Sequence, residues 1–292
     1  MLDYHLHLWP HGRKATQATV DELAAYCEQA ALLGVTEIAL TEHLFRFDQA
    51  DAVLGGWWRS GAAADGDPRL AAEVARYWHE HVSADLDAYV ETCAAAKAAG
   101  LPVVIGMEVD YYPDRMDTVA TLLAGYPFDV LLGSVHWLGA WMFDDLDSAV
   151  AMGEWESRRV EEVWDTYTRA LEELAATGAI DVLAHPDLCK VTGRRPAIPD
   201  EWYDRMAEAA ATSGVAAEVS SAGWRKPAAE AYSPPPLLSR FRKAGVPVTT
   251  ASDAHRLSDV ADRSGDLRVI VEAAGYTTLC AFEGRKRREV PL

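Results

Sequence analysis

The chain has 292 residues, half of them apolar and a quarter charged, a balance that supports a packed core and excludes general disorder. Its formal net charge of -18 opposes long-range attraction to nucleic acid or an anionic membrane, and no apolar run approaches the roughly 18 residues of a membrane span. A small anionic substrate is not excluded, because bound divalent ions make a site locally positive even in an acidic protein.

Strand-length apolar runs alternate with stretches of helical spacing. In chain order, residues 2–8 read as a strand, 20–33 as a helix, 37–41 as a strand, 70–99 as one helical stretch, and 103–108 and 130–135 as strands. A helix over 159–177, a strand over 181–184, a helix over 201–213, a strand over 215–219, a helix over 236–244 and a strand over 247–251 follow. Gly34, Gly100, Gly178, Gly214 and Gly245 each stand past a helix and before a strand, where a left-handed terminal residue is wanted.

This alternation implies parallel pairing, and about seven units favour closure into a barrel over an open doubly wound sheet, although the pattern alone is compatible with both. No repeat or linker divides the chain, so residues 1–292 read as a single α/β domain. The segment 45–68, with Gly55, Gly56, Trp57 and Trp58, is longer than an ordinary strand-to-helix connection and is expected to cover a site. Residues 233–236 read as a turn and helix start, and Arg285, Lys286, Arg287 and Arg288 as a solvated basic face. Cys27, Cys93, Cys189 and Cys280 form no C-x-x-C pair and are expected to be reduced structural thiols. With no leader pattern at the start, a cytoplasmic location is expected.

Seven of the nine histidines fall at or just beyond the ends of these strands. His5, His7 and His11 go with the first, His43 with the second, Glu108 and Asp110 with the third, and His136 with the fourth. His185 and Asp187 follow the fifth strand, Glu218 ends the sixth, and Asp253 and His255 follow the seventh. In a parallel barrel the C-terminal strand ends share one face, so these groups converge there. His5 and His7, two apart on an extended chain, point the same way. Imidazole and carboxylate without thiolate suit a hydrolytic site for zinc, manganese or iron.

Taken singly, each signal is weak. An H-x-H strand, a lone loop histidine or a carboxylate at a strand end is as easily structural. Their coincidence at one edge is what points to metal. His79 and His81, two apart within a helical stretch, face different ways and are read as structural. Glu42, Asp187 and Glu218 are expected to orient neighbouring imidazoles.

The ordered motifs D-Y-H-L-H-L, T-E-H, G-M-E-V-D-Y, G-S-V-H, A-H-P-D and S-D-A-H resemble those of the polymerase and histidinol phosphatase (PHP) family, nearly end to end. The stretch from Ser220 to Lys226, followed by Tyr232, and the terminal A-F-E-G-R-K are similar to its histidinol-phosphate phosphatase branch. The resemblance implies a distorted seven-stranded (β/α) barrel of TIM type holding two or three divalent ions. By matching motif, His5, His7, Glu108 and Asp253 would hold one ion, Glu108, His136 and His185 a second, and His11, His43 and His255 a third. The chain departs from the family in a short first loop, which sets His11 only four residues after His7, and in Ser220 where the branch usually has Asn.

Resemblance and chemistry together lead to the expectation of a phosphate monoester hydrolase, with L-histidinol phosphate as substrate and a hydroxide between the ions that share Glu108 as nucleophile. Asp253 and His255 complete the expected catalytic set, His255 or a water being the proton donor. Arg225 is expected to clamp phosphate, with Arg159 or Arg158 and Glu42 as further substrate contacts. A phosphoesterase of the same family with another small ester or nucleotide, and a noncatalytic metal-binding module, are the competing readings. The expected partner is a small phosphorylated molecule, with neither nucleic acid nor membrane; nothing in the chain speaks to oligomeric state.

Overall fold

A computed structural model describes residues 1–59 and 67–292, so residues 60–66 of the expected covering segment lie outside the described residues. The chain starts with β1 (Leu2–Leu6), α1 (Val20–Leu32) and β2 (Glu37–Leu40). Thr19 begins α1 with a capping box: its hydroxyl accepts the Glu22 backbone N–H, and the Glu22 carboxylate accepts that of Thr19. Next come α2 (Asp48–Leu54), α3 (Pro68–His81), α4 (Leu86–Ala98) and β3 (Val103–Asp110). The stretch 70–99 is thus two helices and not one. The Asp85 carboxylate accepts the Ala88 N–H at 2.8 Å and starts α4, while the N–H groups of Ser83 and Ala84 turn aside to the Arg46 carbonyl.

The middle of the chain holds α5 (Met116–Leu123), β4 (Val130–Ser134), a small hairpin of β5 (Trp137–Leu138) and β6 (Trp141–Met142), α6 (Ala149–Ser157), α7 (Val160–Ala176) and β7 (Val182–Leu183). Then follow α8 (Asp200–Ser213), β8 (Ala216–Ser220), α9 (Pro235–Lys243), β9 (Val248–Ala251), α10 (Ser264–Ala273) and a terminal hairpin of β10 (Thr278–Glu283) and β11 (Lys286–Pro291). The five expected helix-stop glycines all have positive φ, between 69° at Gly178 and 88° at Gly100.

Seven strands pair in parallel in the order β1-β2-β3-β4-β7-β8-β9. The two edges meet: Leu6 bridges Ala254, the His7 N–H donates to the Ala254 carbonyl at 2.8 Å, and the Thr250 hydroxyl to the Leu2 carbonyl at 2.7 Å. Asp3 reinforces the seam by accepting from the backbone and hydroxyl of Ser252, each at 2.7 Å, and from the Ala261 N–H at 2.8 Å. The architecture is therefore a nearly closed (β/α)7 barrel. Almost every residue of these strands is buried, as parallel strands covered by helices outside and filled within must be. Gly133 of β4 has no room for a side chain, since a Cβ there would lie 2.4 Å from Ile180.

The terminal hairpin closes the N-terminal ends of the strands. The Gly284 N–H donates to Asp129 just before β4, Arg285 pairs with Asp181 just before β7, and Arg288 with Glu37 at the start of β2. The basic run is thus partly consumed in ion pairs, on the face away from the histidines.

Candidate metal centre

At the other end of the barrel the strands deliver imidazoles and carboxylates to one place, with Glu108 of β3 at its centre. One oxygen, Oε2, lies 2.6 Å from His43 Nδ1, 3.3 Å from His5 Nε2 and 3.6 Å from His7 Nε2. The other, Oε1, lies 3.2 Å from His185 Nε2 and 3.6 Å from His136 Nε2. Asp253, past β9, approaches the same space from the seam, its Oδ1 lying 3.4 Å from His7 Nε2 and 3.9 Å from His5 Nε2. The strand ends that carry these groups are drawn together by barrel closure and not by any local sequence preference.

A layer of carboxylates aims the rings. His5 Nδ1 donates to Glu218 Oε2 at 2.8 Å and His136 Nδ1 to Asp110 Oδ1 at 2.6 Å, which turns each Nε2 inward. Glu42 accepts the backbone N–H groups of Leu8 and Trp9, fixing the turn after β1, and its Oε2 lies 3.6 Å from His7 Nδ1. His43 and His255 both stack on His7, with ring centroids 4.2 and 4.1 Å from it. Two of the converging residues hold left-handed backbone, His185 at φ 28° and Asp253 at φ 52°. Such conformations cost about 1–3 kcal/mol and persist where the surroundings hold them.

Electrostatics follows from this crowding. Burial alone would raise the Glu108 and Asp253 carboxyls, yet neighbouring imidazoles, His5 foremost, hold both well below the usual carboxylate range. Burial pushes His11, His43 and His255 well below the usual imidazole value, so they are neutral and keep a lone pair. His136 goes the other way: against the effect of burial, Asp110 and Glu108 raise it to about 10.

Do these residues fit metal ions? Four groups have donor atoms within 4.8 Å of one another: His5, His7 and Asp253; His5, Glu108 and His185; His43, Glu108 and His136; His7, His43 and His255. Among the described residues, His5 Nε2, both nitrogens of His7 and of His43, and His255 Nε2 are buried with no hydrogen-bond partner. Buried polar atoms left so at a common centre call for a cation to bind them. The donors are nitrogen and oxygen only, while all four cysteines are buried and unpaired elsewhere. The set fits two or three divalent ions.

The structure does not gather every expected residue. His11 stacks on His255 at 4.2 Å, but its Nδ1 faces the Tyr77 hydroxyl at 3.1 Å and it belongs to none of the four donor groups. Glu42 is fully buried behind His7 and is not among the residues that line the cavity. Arg159 precedes α7 with its side chain 74% exposed and pairs with Glu161. Arg158 is held by Glu154. Arg225 does border the cavity. Its guanidinium donates to Asp262 and to the carbonyls of Ser252 and Asp253, bracing the loop that carries Asp253.

The cavity over the cluster has a volume of about 370 Å³. Beyond the histidines its wall includes Phe45, Tyr77, Trp137, Asp144 and Tyr232, of which only Phe45 and Tyr232 lie in stretches that stand out in the sequence. Asp110 and Glu218 sit in E-V-D and at a strand end, and alternation along the strand does place Asp110 on the face of Glu108. Tyr77, Trp137 and Asp144 come from α3 and from the hairpin region, whose approach to the site leaves no local sequence signal.

The PHP domain model matches residues 3–222. A probable histidinol-phosphatase from Deinococcus radiodurans is 35% identical over 190 residues, covering 65% of this chain and 71% of that protein. Among solved structures, a histidinol phosphate phosphatase from Lactococcus lactis, complexed with zinc, L-histidinol and phosphate, superposes with a TM-score of 0.67 at 19% identity, over 98% of each chain. A putative histidinol phosphatase from Listeria monocytogenes gives 0.69 at 17% identity, over 91% of this chain and 99% of that one. At these identities the two structures speak for the fold. No helix among the described residues is long and apolar enough to cross a membrane. With three quarters of its length matched by the family model and a curated relative at this identity, the chain belongs to the PHP domain family.

Proposed function

We propose that this protein is a metal-dependent phosphate monoester hydrolase that converts L-histidinol phosphate and water to L-histidinol and phosphate. The observation that carries this reading is the placement of Glu108 among five imidazoles under an open cavity, in a chain whose curated relative is a probable histidinol-phosphatase. Two or three divalent ions held by His5, His7, His43, Glu108, His136, His185, Asp253 and His255 would acidify water and offset the charge of the phosphoryl oxygens. His11, expected as a further ligand, stands outside these donor groups.

The chain's own residues then have distinct tasks. Glu108 spans the donor groups, while Asp110 and Glu218 keep His136 and His5 in the tautomer that presents Nε2. His255 Nδ1 donates to the Asp253 carbonyl at 3.3 Å, so in its neutral form Nε2 carries a lone pair and no proton. This supports ligation over proton delivery as the task of His255. Arg225 lies at the rim where it can turn part of its guanidinium toward a phosphate oxygen. Phe45, from the segment 45–68, helps wall the cavity, in keeping with a covering role for the described part of that segment.

The test is phosphate release from L-histidinol phosphate beside sugar and nucleotide monophosphates, with metal analysis of the same sample. Hydrolysis of L-histidinol phosphate well above the others, abolished by chelation and restored by zinc or manganese, is expected. Equal turnover of the whole panel, or turnover indifferent to chelator, would overturn the reading.

A further inference from the structure

Charge is arranged unevenly around the cavity. Arg225, Lys226 and Arg256 reach its wall from the loops after β8 and β9, whereas Asp144, Asp145 and Asp147 reach it from the loop after β6. An anionic phosphoryl group is repelled by carboxylates that are not neutralised, so the acidic loop has no task at the phosphate end.

Asp144 is half-buried, and among the described residues no lysine or arginine nitrogen comes within ion-pairing distance of its carboxylate. It is nevertheless firmly placed. The preceding Met142 and Phe143 are buried, the Trp155 indole N–H donates to the Phe143 carbonyl at 2.7 Å, and the Ser148 hydroxyl donates to Glu73 at 2.6 Å on the far side of the loop. A rigidly held carboxylate on an aromatic-lined wall is how a protein recognises a cation without first having to order the site.

A second observation is independent of the acidic loop. Tyr232 is 1% exposed, lines the same cavity, and its hydroxyl has no hydrogen-bond partner among the described residues. A buried hydroxyl left unsatisfied at a cavity wall marks where a polar ligand group belongs.

We propose that Asp144, with the Tyr232 hydroxyl beside the same cavity, binds the cationic nitrogen of the leaving alcohol, and so makes the site selective for phosphate monoesters whose alcohol carries an ammonium or imidazolium group. The inference rests on the phosphatase reading and refines it: Asp144 is a specificity residue, distinct from the groups that hold metal.

The experiment compares the metal-loaded wild type with Asp144→Asn, a neutral isostere. Two readouts are taken: kcat/KM for L-histidinol phosphate and for para-nitrophenyl phosphate, and calorimetric binding of L-histidinol alone. Asp144→Asn should lower kcat/KM for the cationic ester by about ten- to a hundredfold, the effect of losing a charge-assisted hydrogen bond, and leave the neutral ester within about threefold. Binding of L-histidinol should weaken in parallel, with metal content unchanged. Equal loss on both esters, or an unchanged ratio between them, would overturn the proposal while leaving the phosphatase reading intact. Asp144-dependent binding of L-histidinol without hydrolysis of either ester by the wild type would sustain the cation subsite and overturn the phosphatase reading instead.

Discussion

The Nδ1 of His136 lies 2.6 Å from the carboxylate of Asp110, two residues beyond Glu108 on the same strand. One strand therefore supplies both a central carboxylate and the group that aims a ring toward it. Asp110→Asn keeps the shape but removes the charge that fixes the tautomer. Metal affinity should fall by about ten- to a hundredfold, the usual effect of losing a partner of this kind. Activity should recover partly at high metal concentration, as a titration of activity against added zinc would reveal; a variant that saturates with the wild type would rule the role out.

Removal of the ions should also cost stability. The donors lie on or just after six of the seven barrel strands, β1, β2, β3, β4, β7 and β9, so ligation ties together elements that are distant in sequence. Free metal at about 100 times its Kd would stabilise the folded chain by about 2.7 kcal/mol if the unfolded chain does not bind it. Differential scanning fluorimetry of the metal-loaded protein with and without chelator should show a clear fall in Tm on chelation. An unchanged Tm would mean that the ions do not brace the fold.

Metal affinity should rise with pH. His136 is raised to about 10 by Asp110 and Glu108, against the effect of burial, so below that pH the ring carries a proton that a cation must displace. The sign is therefore tighter binding as pH increases, by roughly tenfold per unit for each proton released. Competition against a chromogenic chelator at pH 6 and 8 measures it. A flat profile, after correction for the chelator's own protonation, would contradict a protonated His136 in the metal-free protein.

Lys190 offers a test of the scaffold apart from metal. Fully buried, it lies 2.7 Å from Asp187 and 3.0 Å from Glu230, and donates to the Ala231 carbonyl at 2.8 Å, joining the loop after β7 to the loop before α9. Lys190→Met leaves Asp187 buried without its cation, a change expected to destabilise by roughly 3–5 kcal/mol. Thermal or urea unfolding would register it; a loss below about 1 kcal/mol would mean that water or rearrangement replaces the lysine.

Much of this arrangement is legible in the sequence because barrel strands announce themselves twice, as apolar runs and as runs ending in histidine or carboxylate. All seven barrel strands lie within two residues of their expected bounds. What local pattern misses is governed by contacts from afar. The break between α3 and α4 hangs on the Asp85 cap and on the Arg46 carbonyl, some forty residues away in the chain. Short α2, α5, α6 and α10 are held by packing more than by their own periodicity. Glu42 illustrates the limit at the site. A polar residue next to a strand end can turn inward to hold the backbone or outward to solvent, and spacing does not distinguish the two.

The seam between β1 and β9 bears on how the protein is made. His5 and His7 leave the ribosome first among the donors, while Asp253 and His255 follow β9 near the other end of the barrel's sequence. No nascent chain that stops short of Val248 can assemble the His5, His7 and Asp253 group, however well its earlier strands pair. Completion of that donor group is thereby tied to completion of the barrel, whereas the two groups that share Glu108 draw only on strands made earlier.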